Sequence, residues 1–353
     1  MPWPQFDADH VMVTSSQMAI IEEKTFKSGL PEASLMEKVG LGIADWLIKR
    51  PDLLENGVLV LVGPGHNGGD GLVVARELKL SGFDVQIWCP FLIKKPLTAQ
   101  HLSHVKWLGI SEVKGLPDVN GDCLWIDALF GLGQSRPLPK YVEELFEERS
   151  KMKPGLLLSI DIPSGICSDS GKIINNTAAN ACYTTTVGLV KKGLIQDVAL
   201  PYVGEIVRID IGLPDFLLNE FVGEIPLKIG SNDVSTIPWP ILSANLMKYE
   251  RGRVLIIAGS DSYPGASLLS LKGALASGVG SVQAFLPARV SKRVWQVAPE
   301  VLVKGVLENS DGGYLKFGSC LQGFDLEKVD CVLLGPGLGQ SDEYFLEDLK
   351  PFV

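Results

Sequence analysis

The sequence is poor in the residues that build metal and redox centres. Four histidines are too few for a histidine-rich zinc site. Six cysteines, at 89, 123, 167, 182, 320 and 331, never fall into a CxxC pair. Most of them sit in apolar, strand-like surroundings, which predicts buried reduced thiols in a cytoplasmic protein. His101 and His104 are spaced for one helix face, and a solvated face is expected there rather than a metal pair. Basic charge is also short: 32 Lys and Arg against 41 Asp and Glu give a net charge of −9, the wrong sign for a nucleic-acid surface. No apolar run reaches the roughly 18 residues of a membrane span. Residues 1–10 have no basic n-region and no apolar core, so no secretory signal is expected. No Gly-Lys-Ser/Thr closes a glycine loop, which disfavours an ordinary P-loop NTPase. No Gly-x-Ser-x-Gly elbow is present, which disfavours a serine hydrolase.

What is present is a repeating strand–helix pattern. At 353 residues the chain exceeds one ordinary core, so two domains are expected. Apolar periodicity predicts helices at 13–27 and 32–49, then strands at 58–62, 84–89, 123–126, 156–160, 182–187 and 205–210, with helices at 72–80, 98–108 and 138–150 between them. Such alternation implies a mainly parallel sheet covered on both faces, a Rossmann-like three-layer αβα domain over residues 1–225. Pro238-Trp239-Pro240 marks a linker within 226–243. A second α/β pattern fills 244–353, with strands at 253–258, 281–286 and 331–334 and helices at 267–277 and 342–349. About 110 residues is a thin allowance for an open sheet with helices on both faces, so this unit is expected to be cut short.

The densest chemical signal lies at Gly63-Pro64-Gly65-His66-Asn67-Gly68-Gly69-Asp70-Gly71, between the strand at 58–62 and the following helix. Five glycines in nine residues strip away side chains and let a ligand approach backbone N–H groups. Gly63, Gly65 and Gly68 satisfy G-x-G-x-x-G. The acidic residue a dinucleotide fingerprint needs at the end of the second strand is missing, because Asp84 starts that strand and Cys89-Pro90 closes it. Hydride transfer is therefore disfavoured. Two further strands end in polar, glycine-bearing loops: Asp127 through Gly133, and Asp161-Ile162-Pro163-Ser164-Gly165. Ligands bind beyond the carboxyl ends of parallel strands, so these loops are expected to converge with the first. Oxygen-rich loops of this kind suit a hard cation together with a phosphate-bearing ligand.

At these residues the chain resembles the bifunctional NAD(P)H-hydrate repair enzymes, which join an NAD(P)HX epimerase domain to an ADP-dependent NAD(P)HX dehydratase domain. The likeness runs over about residues 12–225 and includes Gly29-Leu30-Pro31, Leu35-Met36-Glu37, the glycine loop, Val73-Val74-Ala75-Arg76, the two aspartate loops, and Lys191 or Lys192. The family usually carries Asn where His66 stands. The resemblance implies substrate-binding positions at His66, Asn67, Gly68, Gly69, Asp70, Gly131, Leu132, Gly133, Gln134, Ser135, Arg136, Pro137 and Asp161. It implies potassium ligands at Asn67, Asp127 and Ser164, and a proton-transferring role for Asp161. A second resemblance, to the start of a ribokinase-like dehydratase domain, rests on 248–252, Ala258-Gly259-Ser260, 263–266, 276–282 and 335–339. It implies hydrate-binding positions near Ala266 and Gly337.

The function expected from these residues is repair of hydrated nicotinamide cofactors, interconverting R- and S-NAD(P)HX at C6 of the ring. The ligand is a small molecule, NADHX or NADPHX, with no nucleic acid or membrane partner and with a homo-oligomer open. ADP or ATP with Mg2+ would be needed only by a complete dehydratase domain. The Gly-Asp nucleotide motif of that domain does not occur before Val353, so no dehydratase activity is expected of the chain as it stands. A non-catalytic nucleotide-binding scaffold and a sugar- or vitamin-kinase-like enzyme are the alternatives. Retention of Asn67, Asp70, Asp127, Asp161 and Ser164 favours the epimerase over the first, and the missing Gly-Asp loop disfavours the second.

Overall fold

The computed structural model describes residues 4–237, 243, 245–310, 312–342 and 344–350. The chain divides into two compact units, 1–237 and 238–353. Residues 226–237, expected to be linker, fall in the first unit and include the short helix Ser231–Thr236. The Pro238-Trp239-Pro240 signal lies outside the described residues.

The first unit is built on a seven-stranded parallel sheet. In chain order its strands are β2 (Val58–Val62), β3 (Val85–Trp88), β4 (Ser111–Glu112), β5 (Leu124–Ala128), β6 (Leu157–Ile160), β7 (Tyr183–Val187) and β9 (Glu205–Ile209). In space they run β4-β3-β2-β5-β6-β7-β9. Every residue of β2 is buried, as a central strand covered on both faces requires. Alternate side chains take opposite faces. Val58, Val60 and Val62 join a core with Met18, Ile21, Val39 and Ile43. Those four come from α1 (Ser15–Lys27) and α2 (Glu32–Ile48). Leu59 and Leu61 face the other way, onto Trp125, Val142 and Phe146, the last two from α5 (Lys140–Met152). Period-two alternation between two helical layers is what gives the three-layer architecture.

Three observations depart from the sequence pattern, and each bears on function. The helix after β2, α3 (His66–Leu80), begins inside the glycine stretch rather than at residue 72. Asn67 to Asp70 are therefore its opening turns, not loop. Residues 12–13 are not helical: β1 (Met12–Val13) pairs in parallel with β8 (Val190–Lys191) in a separate two-stranded sheet. Thr14 then caps α1 through a capping box with Gln17, and Asp169 accepts from Ser15 N at 2.6 Å and Ser15 Oγ at 2.9 Å. A two-residue strand carries too little periodicity to be read from sequence. Finally, α4 (Pro96–Trp107) carries both helix-face histidines, but His101 is nearly buried, 4.0 Å from Glu37. Only His104, stacked 5.6 Å from the Trp107 ring, keeps a surface role.

The second unit holds β10 (Arg253–Ile257), β11 (Ser281–Pro287), β12 (Leu302–Val306) and β13 (Cys331–Leu334), all parallel, in the order β12-β11-β10-β13. Helices Pro264–Ala276 and Ala288–Val294 connect them. The second of these helices and β12 carried no clear sequence signal. The helix expected over 342–349 is confined to Phe345–Asp348. The cysteine expectation holds only in part. All six are free, but only Cys320 is buried and Cys331 is exposed.

Candidate active site

The strands β2, β5 and β6 are neighbours, so the three loops that follow them meet at one end of the sheet. There they line a cleft of about 490 Å³. Its polar residues are Glu22, Glu32, His66, Asn67, Asp70, Gln134 and Asp161, and its apolar wall is Phe26, Leu35, Met36, Val39 and Val187.

Backbone crowding explains the glycines. A Cβ on Gly63 would lie 1.7 Å from Leu129 O, and one on Gly68 would lie 2.1 Å from Gly63 O. The loops after β2 and β5 can touch only without side chains there. The chain then enters α3 directly, with Gly65 as an extended N-cap that makes no side-chain cap bond. The first-turn N–H groups of α3 therefore remain available at the mouth of the cleft, where the helix dipole favours an anion. Thr98 Oγ1 donates to Gly65 O at 2.9 Å. Arg76 binds Glu37 with both terminal nitrogens, at 2.8 and 2.6 Å, which ties α3 to α2.

Asp161 occupies an unusual backbone conformation, with φ of +68°. That left-handed geometry is uncommon for a residue other than glycine, though Asp tolerates it better than most. It lifts the carboxylate off the end of β6 and across the cleft. Oδ2 accepts from Leu132 N at 3.1 Å, and Oδ1 accepts from Val187 N at 3.4 Å. Oδ1 also forms an ion pair with Lys191. Lys191 is almost fully buried and donates further to Val187 O at 2.6 Å and Thr186 Oγ1 at 3.3 Å. The sequence left Lys191 and Lys192 equivalent; Lys192 is exposed, and Lys191 is the residue that reaches the site. The β1–β8 pairing fixes its position.

Asp127 and Ser164 lie beneath the cleft rather than in its wall. The Asp127 carboxylate is fully buried. Its Oδ1 accepts from Ser164 Oγ at 2.7 Å and Leu129 N at 3.2 Å; its Oδ2 accepts from Ser164 N at 2.8 Å and Ser159 Oγ at 3.0 Å. Burial pushes its carboxyl up, against hydrogen bonds from Ser164, Leu129 and Ser159 that pull it down. Among the described residues it has no cationic partner. Asn67 Nδ2 is buried without a hydrogen-bond partner among the described residues. Amide orientation is set by the hydrogen-bond network, and the opposite orientation places Oδ1 there.

Not every residue implied by the resemblance reaches the cleft. His66, Asn67, Asp70, Gly131, Leu132, Gly133, Gln134 and Asp161 line it. Gly68 and Gly69 are buried in packing, Gly69 against Met36. Ser135, Arg136 and Pro137 lie outside the lining. In the second unit, Ala266 and Gly337 are brought together: a Cβ on Gly337, at φ +70°, would sit 2.6 Å from that of Ala266. His66 is half-exposed and 3.7 Å from Glu32. Burial first, then Lys95, holds its imidazole below the ordinary range, with Glu32 pulling the other way.

Sequence reasoning missed Glu22. It stands one turn after the buried Met18 and one turn before Phe26, so a carboxylate interrupts an apolar stripe of α1. That interruption was the available signal. Burial, then the charge of Asp161, raises its carboxyl, and Lys191 lowers it.

A family model described as YjeF-related protein N-terminus matches residues 32–193, and one described as NAD(P)H-hydrate dehydratase matches residues 254–353. A protein of Synechocystis named bifunctional NAD(P)H-hydrate repair enzyme Nnr is 40% identical over 342 residues, 96% of this chain and 64% of its own length. The protein of that name from Archaeoglobus fulgidus is 31% identical over 94% of this chain and 67% of its own. The chain belongs to the bifunctional NAD(P)H-hydrate repair enzyme family. It spans just under two thirds of the length of the Synechocystis and Gloeobacter violaceus family members, 64% and 65%. The crystal structure of yeast ynu0 shares the fold, with a TM-score of 0.52 at 24% identity over 63% of this chain and 97% of that one. The dehydratase family model extends the match through the second unit, residues 254–353, so the expectation of an inactive dehydratase half gains no support from the relatives.

Proposed function

We propose that the first unit interconverts the R and S epimers of a hydrated nicotinamide cofactor, NADHX or NADPHX, at C6 of the reduced ring. The observation that carries this reading is the meeting of Asn67 and Asp70, from the start of α3 after β2, with Asp161, from the end of β6, in one cleft whose mouth is the N-terminus of α3. The family membership supplies the substrate class. The C6 hydroxyl sits beside the ring nitrogen, so its configuration inverts by loss and return of water. That route needs proton transfer at oxygen and tolerance of a cationic ring. Asp161 meets both needs as a carboxylate in the cleft, and the apolar wall from Phe26 to Val39 receives the ring. The free N–H groups of α3 receive phosphate.

Potassium fits Asn67 in the cleft lining together with Asp127 and Ser164. Asn67, Asp127 and Ser164 offer hard oxygen donors; among the described residues one is a buried carboxylate without a counter-ion and one an amide whose nitrogen has no partner. When bound, the cation supplies positive charge that holds the loops for substrate binding. The expected result is a higher melting temperature in potassium chloride than in tetramethylammonium chloride at equal ionic strength. That difference should disappear in Asn67→Ala, measured by differential scanning calorimetry.

The second unit contributes a hydrate site around Ala266 and Gly337, and dehydration there would draw on ADP or ATP with Mg2+. Formation of NADH from the S hydrate, with and without the nucleotide, tests this. A cytoplasmic location, without nucleic-acid or membrane partners, goes with this reading. A homo-oligomer is compatible with it. Among the described residues no helix is long and apolar enough to cross a membrane. The decisive variant is Asp161→Ala: epimer equilibration should slow by about 10²-fold or more while hydrate binding by equilibrium titration stays within a few fold. An unchanged rate refutes the role of Asp161.

A further inference from the structure

The cleft holds more carboxyl groups than the reading above employs. Asp161 has its own cation, because Lys191 is directed at it and at the neighbouring Val187 carbonyl. Asp70 and Glu22 line the same cleft. Among the described residues neither carboxyl takes an ion pair or a side-chain hydrogen bond. One buried ammonium therefore serves three carboxyl groups, and the structure commits it to one of them. Asp70 comes from the second turn of α3 and Asp161 from the end of β6, so the two reach the cleft from different elements.

We propose that Asp70 and Asp161 divide the proton transfers of epimerisation, Asp70 as the carboxylic acid for one epimer and Asp161, paired with Lys191, as the carboxylate that faces it. The proposal rests on the epimerase reading. Inversion at a carbon bearing a hydroxyl needs an acid where water leaves and a base where water returns. Asp70 gives its proton to the C6 hydroxyl oxygen. The C6–O bond breaks, its electron pair leaves with the water, and the ring is left cationic across N1 and C6. A water adds to the opposite face, forming the new C6–O bond, and its proton passes to Asp161. By microscopic reversibility the other epimer is processed with Asp161 protonated and Asp70 ionised. Proton exchange with solvent restores either form, and no proton or electron is consumed overall.

The electrostatics agree with this division. Burial first, then the negative charges of Asp161 and Glu22, hold Asp70 well above the usual carboxylate range, with Lys191 alone pulling it down. A carboxyl without a cation in the same cleft as one held by a lysine gives two distinct positions for acid and base roles. Glu22 takes no part in bond making; its charge adds to the field at Asp70 and at the cationic ring.

The test is oxygen exchange. Pure R and pure S hydrates are incubated separately in ¹⁸O-labelled water with the unsubstituted chain, Asp70→Asn and Asp161→Asn. Label at C6 is read by mass spectrometry and configuration by chromatography. Equilibrium titration of each hydrate and thermal unfolding confirm that the variants fold and bind. Each variant should lose inversion by about 10²-fold or more. Each should keep exchange with retention for one epimer only, and the two variants should keep it for opposite epimers. Inversion by Asp70→Asn within a few fold of the unsubstituted rate overturns the proposal. So does loss of exchange from both epimers in Asp161→Asn alone. If the unsubstituted chain does not interconvert the epimers, the epimerase reading itself fails, and the division with it.

Discussion

At the scale of single residues, Asp70 makes the clearest link between chemistry and stability. Its carboxyl is raised above the ordinary 3.8 in the folded chain, so the native state holds that proton more tightly than the unfolded state does. Stability from this group is complete below the ordinary value and is lost as pH rises through the raised one. Asp70→Asn removes the penalty. At pH 8 the variant should be more stable by about 1 kcal/mol, and its advantage should shrink at pH 4. Urea unfolding at the two pH values measures both. This residue was legible in sequence as part of the glycine stretch and, through the family resemblance, as a binding position, but its charge state was not. That depends on Asp161 and Glu22, which are distant in sequence and arrive only with the fold. His66 shows the same limit: its departure from the family pattern is visible in the letters, its neighbours Glu32 and Lys95 are not.

At the scale of elements, the legible part is the central sheet. The strands around Val58–Val62, Leu124–Ala128 and Leu157–Ile160 declare themselves through apolar runs ending in polar loops, and their convergence follows from parallel topology. The boundary of α3 was misplaced because four of the first six residues, His66 to Gly71, are glycine or asparagine, and local propensity opposes a helix there. Tertiary packing overrides it: Gly68 and Gly69 fit where side chains cannot. Gly68→Ala places a Cβ 2.1 Å from the backbone oxygen of Gly63, and neither partner is a side chain that can move. A loss of about 2–3 kcal/mol is expected, with loss of hydrate binding. Gly65→Ala, whose Cβ meets no atom within 4 Å, should cost less than about 1 kcal/mol. Equal losses in the two variants would contradict the close approach of the loops after β2 and β5. Short β1 and β8, which set Lys191 in place, carry no periodic signal and become visible only as a pair.

At the scale of the whole molecule, two α/β units share one chain, and the two family models fall on either side of the division between them. The catalytic proposal concentrates in the first unit, where the cleft, the carboxyl groups and the buried lysine meet. The second unit brings Ala266 and Gly337 together. The reading that unites these observations is repair of a hydrated cofactor, and one measurement addresses it directly. Pure R hydrate of NADH is incubated with the chain in potassium buffer, and the S epimer is followed by NMR. The epimerase reading predicts equilibration well ahead of the enzyme-free control, at a rate proportional to protein concentration. Equilibration no faster than the control, with the hydrate bound, would contradict it.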